Sequence, residues 1–292
     1  MTNVATELAT QTRDADRLAP RRATSWVFWS SVAWLVVLGV FVVLGEWNPL
    51  VGGSDEWDAA LINAGPSRSH WFGNDSFGQD VFARTIVGGR ISLAIALAVT
   101  FIGMVVGGTL GLLAGYFTGW LDSVIRLIIN VTLSVPALLL VIFIVTVRGR
   151  SIWNVIFAVS LLSIPALARI VRASTLQVAG RDYVKAAEVL GSRRRSILFR
   201  EVAPNVMPTM VSFAFLTTGI VLVAEGALSF LGLSVPPPDY TWGSIIAAGR
   251  DSFQDAPHVV YAPAAVLFLT VLALNFVGDR LLKRFDIREG GL

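Results

Sequence analysis

DYVKAAEVLGSRRRSILFREVAPNVMP, residues 182–208, is a charged stretch set between two apolar runs, 151–168 and 202–224. Roughly 20 apolar residues cross ~30 Å of hydrocarbon, so both flanks are long enough to be membrane spans. The chain is therefore expected to be an all-helical integral membrane protein with a small polar element at one surface. Asp182 is placed to cap a helix through YVKAAEVLG, and Gly191 supplies its stop. A second amphipathic segment, RRRSILFREV, carries Arg193, Arg194, Arg195 and Arg200 among Ile197, Leu198 and Phe199, and Pro204 opens the next span. Ala186 and Ala187 leave a low surface that a groove in another protein could accept. The same residues also suit a loop lying on lipid headgroups, with arginines that serve topology alone.

Composition supports the membrane reading. The chain is 54% hydrophobic and 15% charged, with a mean hydropathy of +0.68. Six apolar runs meet the length criterion: 26–45, 91–121, 127–147, 151–168, 202–224 and 256–278. The second exceeds one crossing, so part of it must be tilted helix or loop. With six spans and an inner N-terminus, the inner segments hold 17 Lys and Arg and the outer segments 6. That asymmetry predicts cytoplasmic termini. The first run is too long for a signal-peptide core and lacks a small-residue cleavage site, so it reads as a retained anchor. The pI of 9.7 reflects arginines near anionic lipid rather than nucleic-acid binding.

The expected organisation is a tail over 1–25, an anchor span over 26–45, an outer segment over 46–90, a five-span core over 91–282 with its polar loop at 181–204, and an inner tail over 283–292. Gly103, Gly107, Gly111 and Gly115 recur every four residues in the second span, with Gly119 at or beyond its end. That spacing makes one close-packing face, against a neighbouring helix or subunit. Pro136 and Pro165 lie inside spans three and four, and each either kinks its helix for gating or sits as a static bend. Glu225, just beyond the fifth run, either lines a path or gate or is satisfied by local hydrogen bonds.

Other chemistry is missing. The two lysines, Lys185 and Lys283, do not follow a nucleotide-binding glycine pattern. His70 and His258 show no metal-ligand spacing, and the absence of cysteine excludes disulfides and thiolate chemistry. No catalytic residue and no metal are expected.

Read as K-A-A-x3-G-x9-E-V-A-P, the polar loop resembles the docking loop of permeases in binding-protein-dependent ABC importers. Gly191 also stands 101 residues from the last residue, as in that family. Lys185 replaces the family's Glu, and Glu201 replaces an aliphatic residue. HWFGNDSFGQDVFARTIVGGRISLAIAL, residues 70–97, is similar to the segment before span two in dipeptide, oligopeptide and nickel permeases. There Asn74 and Gln79 replace the usual Thr and Arg. AEGALSFLGLSVPPPDYTWGSII, residues 224–246, resembles the same family's outer loop.

The resemblance implies a type I importer core of five spans plus an N-terminal anchor span, the C-type subunit of its family. It implies that Tyr183, Lys185, Ala186, Ala187, Gly191, Arg194 and Pro204 dock an ATPase. It further implies a second permease in a heterodimer, two ATPase subunits that bind ATP and Mg, an extracytoplasmic substrate-binding protein, and short peptides as substrate. Nickel complexes and glutathione are alternatives within that architecture. An ion-coupled secondary transporter with a midplane site is the competing class. It would need ionisable residues in the spans, where Glu225 stands alone.

Overall fold

The computed structural model describes residues 23–45, 56 and 58–289. Most of the expected N-terminal tail, the start of the outer segment and residues 290–292 lie outside the described residues. The described chain is helical throughout, with one isolated bridge, Asn74 to Asp80. Among the described residues, five helices are long and apolar enough to cross a membrane, and a pair of shorter helices bent by 81° meets the same criterion when taken together, as a broken span or a re-entrant loop.

Helix α1 spans Ala23–Leu44. Helix α2 runs Val81–Tyr116, starting ten residues before the apolar run that announces it. Asp80 sets that start by accepting the N–H groups of Phe82 (2.7 Å) and Ala83 (3.1 Å), the bond pattern of an N-cap. The arginines in its first turns are satisfied locally. Arg84 bonds Asp75 and Gln79, and Arg90 Nε donates to the Val42 carbonyl (2.8 Å) at the end of α1. A π turn over Gly103–Gly107 lies inside α2. Gly119, at φ 116°, lies in the turn that follows.

The third run is not one straight helix. It comprises α3, Trp120–Ser134, and α4, Ala137–Arg148. Pro136 sits at the break, where its missing N–H and fixed φ end one helix and begin the next. Helix α5, Ile152–Ala179, starts from a Ser151 cap and tolerates Pro165 within it. It continues eleven residues past its apolar run and carries Arg169 and Arg172.

Helix α6, Asp182–Val189, is the short polar helix. The expected second short helix is not separate: residues 194–202 are the first turns of α7, Arg194–Phe230. Pro204 therefore lies within this helix instead of opening it. Lacking an N–H, it cannot close the bond to residue 200, and the helix widens to a π turn over Leu198–Val202 just before it. Helix α8 is Trp242–Ala248, and α9 is His258–Glu289.

Helices α2 and α5 pack along each other, as do α7 and α9, with α1 resting on α9. Trp34 of α1 donates its indole N–H to Thr270 of α9 (3.2 Å). The main core joins Ile95, Val99, Val145, Val155, Leu222 and Trp242. Large apolar side chains such as Val36, Phe101, Leu127, Phe143 and Ile220 stand exposed around the bundle. That surface suits hydrocarbon rather than water.

Candidate docking site and its supporting network

Helix α6 hangs from the bundle by one face. Val184 is 1% exposed and packs with Ile197, Leu198, Val202 and Val206 of α7 and with Val171 and Val178 of α5, while Ala187 lies against the same cluster. The other face is free of the bundle. Ala186 and Lys185 are exposed, and Tyr183 is 40% exposed. Lys185 sits 3.7 Å from Asp182. Asp182 does not cap the helix: Arg181 holds that position without a side-chain capping bond, and Asp182 is the first helical residue. Its charge there still complements the helix dipole.

The helix ends in a Schellman turn. Gly191 N–H donates to Glu188 (3.0 Å), Ser192 N–H donates to Ala187 (3.1 Å), and Gly191 takes φ 80°. This is the left-handed conformation glycine adopts at low cost. A Cβ built on Gly191 would meet nothing within 4 Å, so backbone conformation, not crowding, calls for glycine. The tip before it exposes Val189 (88%) and Leu190 (84%), and the exposed Arg193, Arg194 and Arg195 follow the turn. The sequence reading missed these two aliphatics. In so apolar a chain they carry no mark of their own, and their place one and two residues before the turn glycine was the only signal.

The site residues expected from sequence fall into four places. Tyr183, Lys185, Ala186, Ala187 and Gly191 share α6 and its turn, with Arg194 next to them at the start of α7 and Pro204 exposed further along it. The α2 glycines face α5. A Cβ on Gly103 would lie 2.5 Å from Ser163 Oγ, on Gly111 2.6 Å from the Ala168 carbonyl, and on Gly115 2.5 Å from Thr175 Cβ, while on Gly107 it would strike the Ile164 carbonyl. Pro136 lies at the α3–α4 break. Glu225 lies toward the far end of α7 from α6, fully buried, and accepts from Ser229 (2.7 Å), Ser234 (2.9 Å) and Ser92 (3.3 Å). The structure places it fully buried inside a hydrogen-bond network.

Two features were not anticipated. Asp122 of α3 and Arg172 of α5 form a two-pronged ion pair at 2.5 and 2.9 Å, with Arg126 3.3 Å from the same carboxylate. Their only trace in sequence is an acid in the break between the second and third apolar runs and a base just past the fourth. The two histidines tie down the far end: His70 Nδ1 lies 2.8 Å from Asp80, and His258 Nε2 donates to the Asn74 carbonyl (3.2 Å).

A concavity of about 590 Å³ between α2 and α7 is lined by Leu97, Phe101, Met104, Met207, Met210 and Phe215. Its hydroxyls, on Thr100, Thr109 and Thr218, are already hydrogen-bonded within the chain. Among the described residues, no three His, Cys, Asp or Glu side chains come together in a way that could hold a metal.

Residues 107–289 match the family described as binding-protein-dependent transport system inner membrane component. The chain belongs to this family. The permease is 40% identical over 262 residues to the glutathione transport system permease protein GsiD of Shigella flexneri, covering 90% of this chain and 86% of the relative. It is also 40% identical over 285 residues to GsiD of Salmonella paratyphi A, covering 98% and 93%. Two solved structures share the permease's fold. Inward-facing MetNI methionine ABC transporter matches with a TM-score of 0.59 at 19% identity, over 69% of this chain and 96% of that one. An amino acid ABC transporter crystallised with histidines matches at 0.55 and 16%, over 70% and 94%. The permease is thus a multi-pass subunit of an ABC importer in a prokaryotic plasma membrane. Family membership replaces the ion-coupled transporter reading.

Proposed function

We propose that this permease carries small peptidic solutes inward, and that glutathione, itself a tripeptide, is the first substrate to test. The observation that carries the coupling part of this reading is the α6 tip, where Ala186, Val189 and Leu190 stand out from the bundle beside a positive-φ glycine. That is a short helix with an apolar point, attached by one face and open on the other, as helix-in-groove recognition requires. The partner assigned to it is an ATPase subunit that binds ATP and Mg. This chain holds no nucleotide and performs no covalent step. Both termini are assigned to the cytoplasmic side, following the lysine and arginine bias.

The mechanism is alternating access. ATP binding draws two ATPases together, each docking helix moves with its partner, and the spans exchange inward- for outward-facing arrangements. Differential contact with those two arrangements is what couples ATP to solute. The bent α3–α4 crossing with Pro136 at its break is the span assigned to gate motion. The apolar α2–α7 concavity offers no unengaged polar group to a solute's charged ends. This supports a path completed by a second permease, with an extracytoplasmic binding protein delivering the solute. Peptides rank ahead of nickel complexes because the 40%-identical relatives carry glutathione in their names.

The test is affinity capture of the tagged wild type and Gly191→Trp from native membrane in mild detergent, with glutathione and dipeptide uptake measured in the same cells. Wild type should bring down a second permease and ATPases, and Gly191→Trp should lose the ATPases and uptake together. Wild type captured without any ATPase, in cells whose uptake survives ATP depletion, would overturn the reading. Uptake of a dipeptide but not glutathione would keep the transporter and change its substrate.

A further inference from the structure

Glu225 is a buried carboxylate that no step above uses. Its three hydrogen-bond partners come from three different parts of the chain. Ser92 belongs to α2, Ser229 to the last turn of α7, and Ser234 to the loop that leads to α8. The network then reaches α8 twice. Ser229 Oγ is 2.7 Å from Thr241 Oγ1, and since Ser229 donates to Glu225, Thr241 donates to Ser229. Thr241 is also the capping-box residue of α8. Ser92 Oγ, donating to Glu225, accepts the Trp242 N–H (3.1 Å). Three serine hydroxyls donate to one carboxylate, and Thr241 donates to one of them.

Helix α8 is wedged between the spans this network joins. Trp242 is fully buried, donates its indole N–H to the Thr85 carbonyl (2.7 Å), and lies where a Cβ on Gly89 would come within 2.9 Å of its ring. On the other side, a Cβ on Gly243 would lie 2.6 Å from the Gly226 carbonyl of α7. Helix α7 begins at Arg194, three residues after the α6 turn, and continues to Phe230 without a break. At 1.5 Å per residue its length is about 55 Å. One helix therefore leaves the docking loop and ends at the Glu225 network.

We propose that Glu225 is a positioning residue that locks the α8 wedge to α2 and α7, so that displacement at the docking helix is delivered to the far end of the bundle. This rests on the importer reading above. Glu225 touches no solute. It acts through Ser92, Ser229 and Ser234 on the placement of Trp242. Without the carboxylate the hydroxyls lose their common acceptor, and α8 is freed to move separately from α7.

The test uses the absence of native cysteine and the burial of Ile245 on α8 (4% exposed). Ile245→Cys is placed in the full assembly in membrane vesicles, alone and with Glu225→Ala, Glu225→Gln or Ser234→Ala. A membrane-impermeant maleimide reports access to position 245, and glutathione and dipeptide uptake are measured beside ATP turnover. Glu225→Ala should raise the labelling rate about tenfold by favouring local opening. It should also raise ATP consumed per solute moved roughly fivefold, because differential contact is lost. Glu225→Gln, which keeps one acceptor oxygen, should fall between. Unchanged labelling in Glu225→Ala overturns the lock, and faster labelling with an unchanged ATP-to-solute ratio overturns its role in delivery. If Glu225→Ala does not accumulate, Glu225→Gln and Ser234→Ala decide by the same two readouts. Wild-type vesicles that lack ATP-dependent uptake of both glutathione and dipeptides would instead sink the small-peptide reading, and the labelling arm would still test the lock.

Discussion

At Gly191 the backbone stands at φ 80° with open space around the missing side chain. Two substitutions therefore separate two demands. Gly191→Ala adds a left-handed non-glycine residue at a cost of about 1–2 kcal/mol. It adds no collision within the chain, so the thermal midpoint in detergent should fall only slightly while ATPase co-purification weakens. Gly191→Trp fills the space a partner would occupy and should abolish co-purification altogether. The same contrast explains what could be read from sequence at this site. A glycine after two alanines and three variable residues is a local pattern, so the helix, its stop and its low face were visible in residues 182–191. The exposure of Val189 and Leu190 depends on how α6 is hung from Val184, which is a tertiary fact. Glu225 was visible as a lone acid, but its partners lie 4, 9 and 133 residues away. Only the nearest, Ser229, is within one helical turn, so sequence alone left its role open.

Among the elements, the α2–α5 contact depends most directly on small residues. Gly111 is a clear case, because the atoms a side chain would meet are backbone or fixed to it: the Ala168 carbonyl at 2.6 Å, the Val171 Cβ at 2.7 Å and the Arg172 nitrogen at 2.9 Å. Backbone cannot rotate away as a side chain can. Gly111→Val should therefore force α2 off α5 and destabilise the permease by about 1–3 kcal/mol, as overpacking does. Gly39→Ala in α1, where nothing lies within 4 Å, should leave the thermal midpoint of the detergent-solubilised protein unchanged. A drop in Gly39→Ala as large as that in Gly111→Val would show that any glycine loss weakens this fold and that the seam is not special. Helix identities were readable because each crossing needs a long apolar run. Their ends were not, since α2, α5, α7 and α9 continue into charged turns, and in α5 the arginines that allow this are held by Asn130 and Asp122, far off in the chain. Pro204 misled for a related reason: it marks a helix start in most settings, but here a π turn absorbs it within α7.

On the scale of the whole molecule, the Asp122–Arg172 pair joins the bent crossing to α5 across 50 residues of chain. Asp122 is 6% exposed, so Arg172→Leu leaves a buried carboxylate with only the half-exposed Arg126 beside it, and Asp122→Leu leaves the partly buried Arg172 without its counter-charge. Asp122→Leu or Arg172→Leu alone should cost about 3–5 kcal/mol, whereas the double substitution should be milder than either. A thermal double-mutant cycle in detergent would check this, and purely additive losses would mean that the pair is not coupled. The pair was hidden from sequence analysis because nothing local links two charges in separate breaks between apolar runs. It also bears on how the chain is made. Helices α3 and α4, of 15 and 12 residues, are each short of a full crossing, and α3 carries Asp122 in its first turn. When the ribosome has synthesised only these two, the acid has Arg126 of its own helix beside it, but the two-pronged partner that ties α3 to α5 does not yet exist. The bent pair can therefore take its final place only after residue 172 has emerged, so that α3, α4 and α5 settle as one unit rather than helix by helix.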